Sequence, residues 1–295
     1  MMEKNPKGGA PAAPPYFDAL LARLEAGDGP TTAAFGRHVH WGYWEKPESY
    51  DPTGPDAARE YGAAAERLCR MVCDAAAIAD GKRILDVGCG FGGTIASLNE
   101  RFRDLEIVGL NIDPRQLDRA RRTIDAANGN RIRFLQGDAC RMEFPADSFD
   151  VVLAVECIFH FPERAAFFAG ASRALAPGGR LALSDFIPSE SALPLLRERG
   201  VGKDEASQAA WGAIDVLCSL ADYRELARGV GLELASAQNI GPETLPTYAF
   251  IRADMKRWAD RTQGKTFDRA VARLESVCRE RMLDYHVLGF TKPAA

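Results

Sequence analysis

The sequence predicts an α/β fold: a doubly wound, mostly parallel sheet with helices on both faces. Short β-branched runs alternate with helical stretches between residues 83 and 187, and strands joined through helices need right-handed crossovers that leave their neighbours parallel. Those runs are nearly continuous in apolar residues, as expected of strands covered on both faces. A glycine-rich turn (Gly88, Gly90, Gly92, Gly93) directly follows the first run, at the place where such folds bind ligands.

Taken in order, the first fifteen residues, MMEKNPKGGAPAAPP, read as a flexible tail ahead of a single domain over 16–295. Leu20, Leu21 and Leu24 give 16–26 an amphipathic helical pattern. The stretch 27–56 is crowded with Gly, Pro and aromatics and is expected to be a structured loop or lid. A helical period at 61, 64, 68, 71/72 and 75 completes an N-terminal lid segment, 16–80. The ligand-binding core, 81–187, holds the runs RILDV (83–87), LEIVGL (105–110), RIRFLQ (131–136), FDVVLAV (149–155) and RLALSDFI (180–187). Helical segments around 93–101, 114–127 and 163–175 separate them. Pro114 suits a first helical turn, and PGG at 177–179 should stop the third helix. Two further helical stretches, 188–221 and 246–280, read as cap insertions around a helix–strand pair (222–230, 232–240). MLDYHVLGF (282–290) alternates like a strand and brings the sheet to seven.

With 37 Lys and Arg against 41 Asp and Glu, the net charge of −4 gives no electrostatic reason to expect a nucleic-acid partner. The longest apolar run, Val151–Phe161, is interrupted by Glu156 and His160 and falls short of the ~18–20 residues that span a bilayer, so no membrane insertion is expected. Seven scattered cysteines without a C-x-x-C pair read as reduced thiols, which suits a cytoplasmic setting. Cys69 and Cys73 could share a helix face but read as core, and no metal site is expected.

The sharpest local signal is Asp86-Val87-Gly88-Cys89-Gly90-Phe91-Gly92-Gly93 between a strand and a helix. Glycines let the backbone turn sharply and approach a ligand closely, with helix-terminal N–H groups aimed at it. Two ligand classes compete. A dinucleotide would want an acid near Asn111 or Asp113. The leading acid of D-x-G-x-G would repel a pyrophosphate, whereas a carboxylate there suits the ammonium of S-adenosylmethionine. Gln136-Gly137-Asp138-Ala139 at the end of the third strand offers an acceptor for an adenine amino group.

In these features the chain resembles the class I S-adenosylmethionine-dependent methyltransferases, whose fold is Rossmann-like. The resemblance rests on ILDVGCGFGG, GLNID, QGDA, FDVVLAVE and ALAPGGRLALSDF, in that order, and spans roughly 35–290. HWGYW (40–44), ECIFHFPER (156–164) and SDF (184–186) look like the small-molecule branch, with its natural-product sugar O-methyltransferases and tocopherol- or sterol-type C-methyltransferases. The resemblance implies that Asp86, Gly88, Cys89 and Gly90 line the methionine moiety of S-adenosylmethionine. It implies Asn111 and Ile112 at the ribose and adenine, Asp138 and Ala139 at the adenine edge, and Glu156 beside the sulfonium. Many relatives carry an acid where Asn111 stands, and Gln116 shares its task. Tyr43 is expected to close over the cofactor near its carboxylate.

Methyl transfer to a hydroxyl needs a base, since a hydroxyl titrates far above pH 7. His160, after the fourth strand, is the first candidate, and Asp185, at the end of the fifth, would orient it or act itself. The resembled sugar O-methyltransferases have a His and an Asp proposed as acid and base at these places. His38 and His40 read as structural or substrate contacts, His286 as buried structure, and Phe159, Phe161, Phe167 and Phe168 as helix packing. The expected activity is O-methylation of a small-molecule hydroxyl on a natural product or its sugar. The alternatives are C-methylation of a prenyl or aromatic acceptor, N-methylation, a non-methylating cyclase of the same fold and, from another class, an NAD-linked oxidoreductase. The oligomeric state is open, with a homodimer one option.

Overall fold

The computed structural model describes residues 16–257 and 261–294; the expected tail, 1–15, lies outside the described residues, as do 258–260 within the second cap insertion. Strands β1 (Arg83–Val87), β2 (Glu106–Asn111), β3 (Arg131–Gln136), β4 (Phe149–Val155), β5 (Leu175–Pro188), β6 (Glu233–Asn239) and β7 (Leu283–Thr291) form one sheet in the order β3-β2-β1-β4-β5-β7-β6. β7 runs antiparallel to both β5 and β6, and the other neighbours are parallel.

Side-chain alternation sorts the central strands into two apolar layers. Leu85, Val87, Val152, Ala154, Leu181 and Leu183 join one cluster, while Ile84, Val151, Leu153, Ala182 and Phe186 join the other. Only the central strands have both faces covered. β3 and β6 are edges with mostly exposed or half-exposed residues. The chain passes from β1 outward to β2 and β3, then returns to lay β4 on the other side of β1. This opens a crevice at the carboxyl ends of β1 and β4, where ligands of open α/β sheets bind.

Most elements fall where the apolar periodicity places them, and three do not. The lid stretch contains a helix, Gly29–Phe35, started by Asp28, whose carboxylate accepts from the Thr31 N–H at 3.1 Å; a short 3-10 turn, Pro47–Ser49, follows. The helix begun by Pro114 ends at Thr123, where Ile124 turns extended and packs against the core instead of continuing it. The third helix ends at Ala174, before PGG rather than at it. Leu175 already pairs with Phe149, and PGG lies in an irregular stretch of β5 before Arg180 meets Val151. The Gly178 N–H there donates to the Lys292 carbonyl.

The lid sits on the helix Ala57–Ala75. Ala34, Trp44, Ala57, Tyr61, Ala64 and Phe250 make a small apolar cluster between them, and Tyr61 stacks on Phe250 with ring centroids 4.4 Å apart. Contact is closest at Gly62, where an added methyl would run into the Ala33 carbonyl oxygen. Alanine would ordinarily favour a helix interior by about 1 kcal/mol, so the glycine is there for the approach. Gly62→Ala should therefore lower stability by roughly 1–3 kcal/mol, read as a lower urea midpoint with an unchanged slope; a stabilised variant would mean that the lid does not dock here.

Candidate active site

Two adjoining cavities open above the carboxyl ends of the strands. The first, about 430 Å³, runs along the β1 loop past Asp86, Gly88 and Gly90, then Asn111, Ile112 and Gln116, to Asp138 and Ala139. The second, about 100 Å³, is mainly apolar and is walled by Phe35, Trp41, Phe159, Phe186, Ile251 and Met255, with the Arg23–Asp254 ion pair (2.9 Å) also in its wall. Tyr16, Val39, His40, Glu156, His160 and Trp211 border both. Any atom passed between the two cavities crosses in front of these six residues.

In the larger cavity Asp86 is fully buried and its Oδ2 has no hydrogen-bond partner. Burial raises its carboxyl to about 8, so it holds a proton at neutral pH unless a cation takes the proton's place. Gly90 has φ +55°, and a Cβ there would meet nothing nearer than Gln116 Oε1 at 3.7 Å; a side chain would fill ligand space. Asn111 Nδ2 donates to Gln116 Oε1 at 3.0 Å, which leaves Asn111 Oδ1 as acceptor. Asp138 accepts from the Cys140 N–H at 2.8 Å and so starts the short turn Ala139–Arg141.

Glu156 follows β4 with φ +49°, a left-handed conformation that a residue with a Cβ seldom adopts. Its N–H donates to Ser184 Oγ at 3.0 Å. Its Oε2 accepts from the Trp41 N–H at 2.8 Å and from the Tyr285 hydroxyl. Burial lifts this carboxyl too to about 8, against the lowering effect of those two bonds. His160 closes the 3-10 turn Ile158–His160. Burial lowers its imidazole to about 4, partly opposed by the nearby backbone of Ala213. It is therefore neutral at pH 7, with a ring nitrogen able to accept a proton.

Two expected site residues are elsewhere. Asp185 borders neither cavity. Alternation along β5 gives the acceptor side to Phe186 and turns Asp185 to the opposite layer. There it is fully buried, 3.3 Å from Arg164 Nη2 and bonded by the Tyr223 hydroxyl. Tyr43 also borders neither cavity; its N–H donates to the Ala64 carbonyl and its own carbonyl accepts from Arg67 Nε, both at 2.9 Å, which ties it to the helix behind the lid. Tyr16, Phe17, Arg37, His38 and His40 border the cavity instead. The remaining expected residues, Gly88, Cys89, Ile112 and Ala139 among them, come together there. Tyr285 has no sequence signal, because its approach to Glu156 depends on the antiparallel register that sets it opposite Phe186.

A large cavity over a glycine turn with an unpaired acid, joined to an apolar chamber, defines an enzyme that brings a cationic nucleotide-type cofactor to a small acceptor. A family model described as a methyltransferase domain matches residues 84–179. The 27-O-demethylrifamycin SV methyltransferase of Amycolatopsis mediterranei is 31% identical over 268 residues, 88% of this chain and 91% of that one. Ajmaline N-methyltransferase of Rauvolfia serpentina is 28% identical over 77% of this chain and 79% of its own. The solved mycolic acid cyclopropane synthase CmaA1 shares the fold with a TM-score of 0.73 at 17% identity, over 94% of this chain and 99% of that one. The chain belongs to the class I S-adenosylmethionine-dependent methyltransferases and is a small-molecule methyltransferase with S-adenosylmethionine as cofactor. The site suits that cofactor: the orphaned Asp86 Oδ2 awaits a donor, and the bare Gly90 leaves it room. Among the described residues no helix is long and apolar enough to cross a membrane.

The placement of Asp185 has a measurable consequence. Asp185→Asn removes one partner of a buried ion pair and should lower stability by about 3 kcal/mol, while kcat at pH 7 stays near wild type. A folded, stable variant with kcat down a hundredfold would return Asp185 to the chemistry.

Proposed function

We propose that the chain methylates a hydroxyl of a mainly apolar natural-product scaffold or its sugar, with His160 as general base. The observation that carries this reading is a half-buried imidazole at the border of the two cavities, held neutral at pH 7 by burial. S-adenosylmethionine supplies an electrophilic methyl group on a sulfonium. Asp86 would hold its ammonium, Asn111 with Gln116 its ribose, and Asp138 and Ala139 its adenine edge. Glu156 sets a buried carboxylate beside the path between the cavities, where it favours a cation. The His160 imidazole removes the acceptor's hydroxyl proton, and the apolar walls exclude water that would compete for the methyl group. The 27-O-demethylrifamycin SV relative supports a complex natural product as acceptor. The acidic balance and enclosed acceptor chamber support a small molecule over a nucleic acid, and seven unpaired cysteines support a cytoplasmic setting. A second reading, C-methylation of a prenyl double bond, draws on the aromatic faces of Trp41, Phe159 and Phe186 around Glu156, since such faces and a carboxylate stabilise a carbocation. The carbon shift of the transferred methyl in the product separates the two.

His160→Ala should lower kcat by about 10²–10⁴ with little change in cofactor affinity. At saturating S-adenosylmethionine, wild-type kcat should fall only as pH drops toward 4, because the base is lost when the imidazole protonates. An acid limb near 6.5, or an active His160→Ala, would remove His160 from the chemistry.

Asp86 must ionise to receive an ammonium, and its carboxyl in the empty protein titrates near 8. Binding of S-adenosylhomocysteine at pH 7 should therefore release close to one proton, seen as a dependence of the calorimetric heat on buffer ionisation enthalpy. Asp86→Asn should abolish that release and weaken binding; proton release unchanged in the variant would assign it to another group.

A further inference from the structure

At the edge of the larger cavity, which His38 and His40 both border, lies one buried polar chain that the methyltransferase reading leaves without a role. His40 Nδ1 lies 2.8 Å from the Trp41 carbonyl, His40 Nε2 lies 3.1 Å from His38 Nδ1, and His38 Nε2 lies 2.8 Å from Glu66 Oε2. Both ends of the series are acceptors. A carbonyl oxygen cannot donate, so His40 Nδ1 carries a proton. Glu66 also accepts from Ser97 Oγ at 2.6 Å and Arg70 Nε at 2.8 Å, with Arg37 Nε at 3.3 Å; these partners keep it ionised, so His38 Nε2 carries a proton as well. The bond between the rings needs a third. Two neutral imidazoles hold only two protons, and two imidazolium ions would set N–H against N–H.

We propose that Glu66, His38 and His40 hold one shared excess proton, and that the resulting bonds position segment 38–42 so that the Trp41 N–H stays on Glu156. The consequence for cofactor binding rests on the methyltransferase reading; the proton count does not. All four ring nitrogens are engaged, so the pair acts through the lid segment rather than on a ligand. The segment is fixed at both ends of the relay: Tyr61 donates to the His40 carbonyl at 3.1 Å, and the Trp41 N–H donates to Glu156 Oε2 at 2.8 Å. The charged and titratable groups facing the pair are Glu66 and Arg70 from the helix Ala57–Ala75, Arg37 from the segment itself, Glu100 from the helix Gly93–Arg101, and Glu156 beyond Trp41. Burial lowers both imidazoles, His40 to about 3, and only at His38 does a bonded carboxylate, Glu66, oppose the lowering. The cation therefore sits on His38. Both adding and removing a proton break the bond between the rings, so the segment is held only inside a pH window.

The chain has four histidines, so a protein labelled with nitrogen-15 at histidine resolves them, and His38→Asn assigns the pair. At pH 7 the wild type should show three N–H protons on His38 and His40; two would overturn the proposal, whether or not the protein turns over. Glu66→Gln removes the counter-charge, so the third proton should leave at lower pH. Its KM for S-adenosylmethionine should then rise about tenfold over wild type at pH 7, the loss of roughly one buried hydrogen bond, with kcat changed less, and the ratio to wild type should return toward one as pH is lowered and His38 regains its proton. A KM raised equally at every pH would mean that Glu66 is only packing, and the positioning role would fall.

Discussion

One buried carboxylate joins three parts of the chain that are far apart in sequence. Glu156 is held at the end of β4 by Ser184 of β5, accepts from Tyr285 of β7, and accepts from the backbone of Trp41 in the lid. Its left-handed backbone turns the chain out of β4 into the turn that carries His160. Strain of this kind persists only where the surroundings over-determine it, and here three hydrogen bonds do so. The border between the cofactor and acceptor cavities forms around this residue. Without it the lid would have no polar anchor on the β4 rim at this point.

The parallel sheet imposes the second constraint. Consecutive residues of a strand face opposite layers, so a strand end can offer only alternate side chains to the crevice. Phe186 and Ser184 fall on the lid side and Asp185 on the other, where Arg164 and Tyr223 neutralise and bond it. His160 escapes the rule because it stands in a 3-10 turn beyond the strand. Its placement depends on local chain geometry and on the first cap insertion, whose Asp215 N–H donates to the Phe159 carbonyl of the same turn at 2.8 Å.

Much of the cofactor cavity was legible in the sequence, because its signals are local. A short β-branched run, an acid, spaced glycines and a following helix report a turn whose geometry depends on little else, and Asp86, Gly88, Gly90, Asn111 and Asp138 line one cavity accordingly. The helix Gly29–Phe35 had local signals too, Asp28 before Pro30, but they were masked by the surrounding glycines and aromatics. Tyr43 and Asp185 were misplaced for a different reason. Their neighbours in sequence are at the site, but which way each faces depends on pairing with Ala64 and on the phase of β5. Tyr16 and Tyr285 reach the site through tertiary packing, and Tyr285 and its partner Glu156 lie 129 residues apart in sequence.

The charges of the site make a single electrostatic design. Asp86 and Glu156 are both buried without a basic side chain bonded to either, and burial alone brings both into the range where they hold protons at neutral pH. A neutral ligand would leave that state undisturbed. A ligand with an ammonium and a sulfonium replaces both protons with fixed positive charge and gains the full attraction of a low-dielectric site. Methyl transfer removes the sulfonium charge but not the ammonium. On the proposed placement Glu156 would then face a neutral thioether and could take back a proton, while Asp86 would keep its partner. That placement would withdraw part of the attraction for the cofactor through the reaction itself, at the carboxylate that also accepts from the Trp41 N–H of the lid, and so would link loss of the methyl group to loosening of the product.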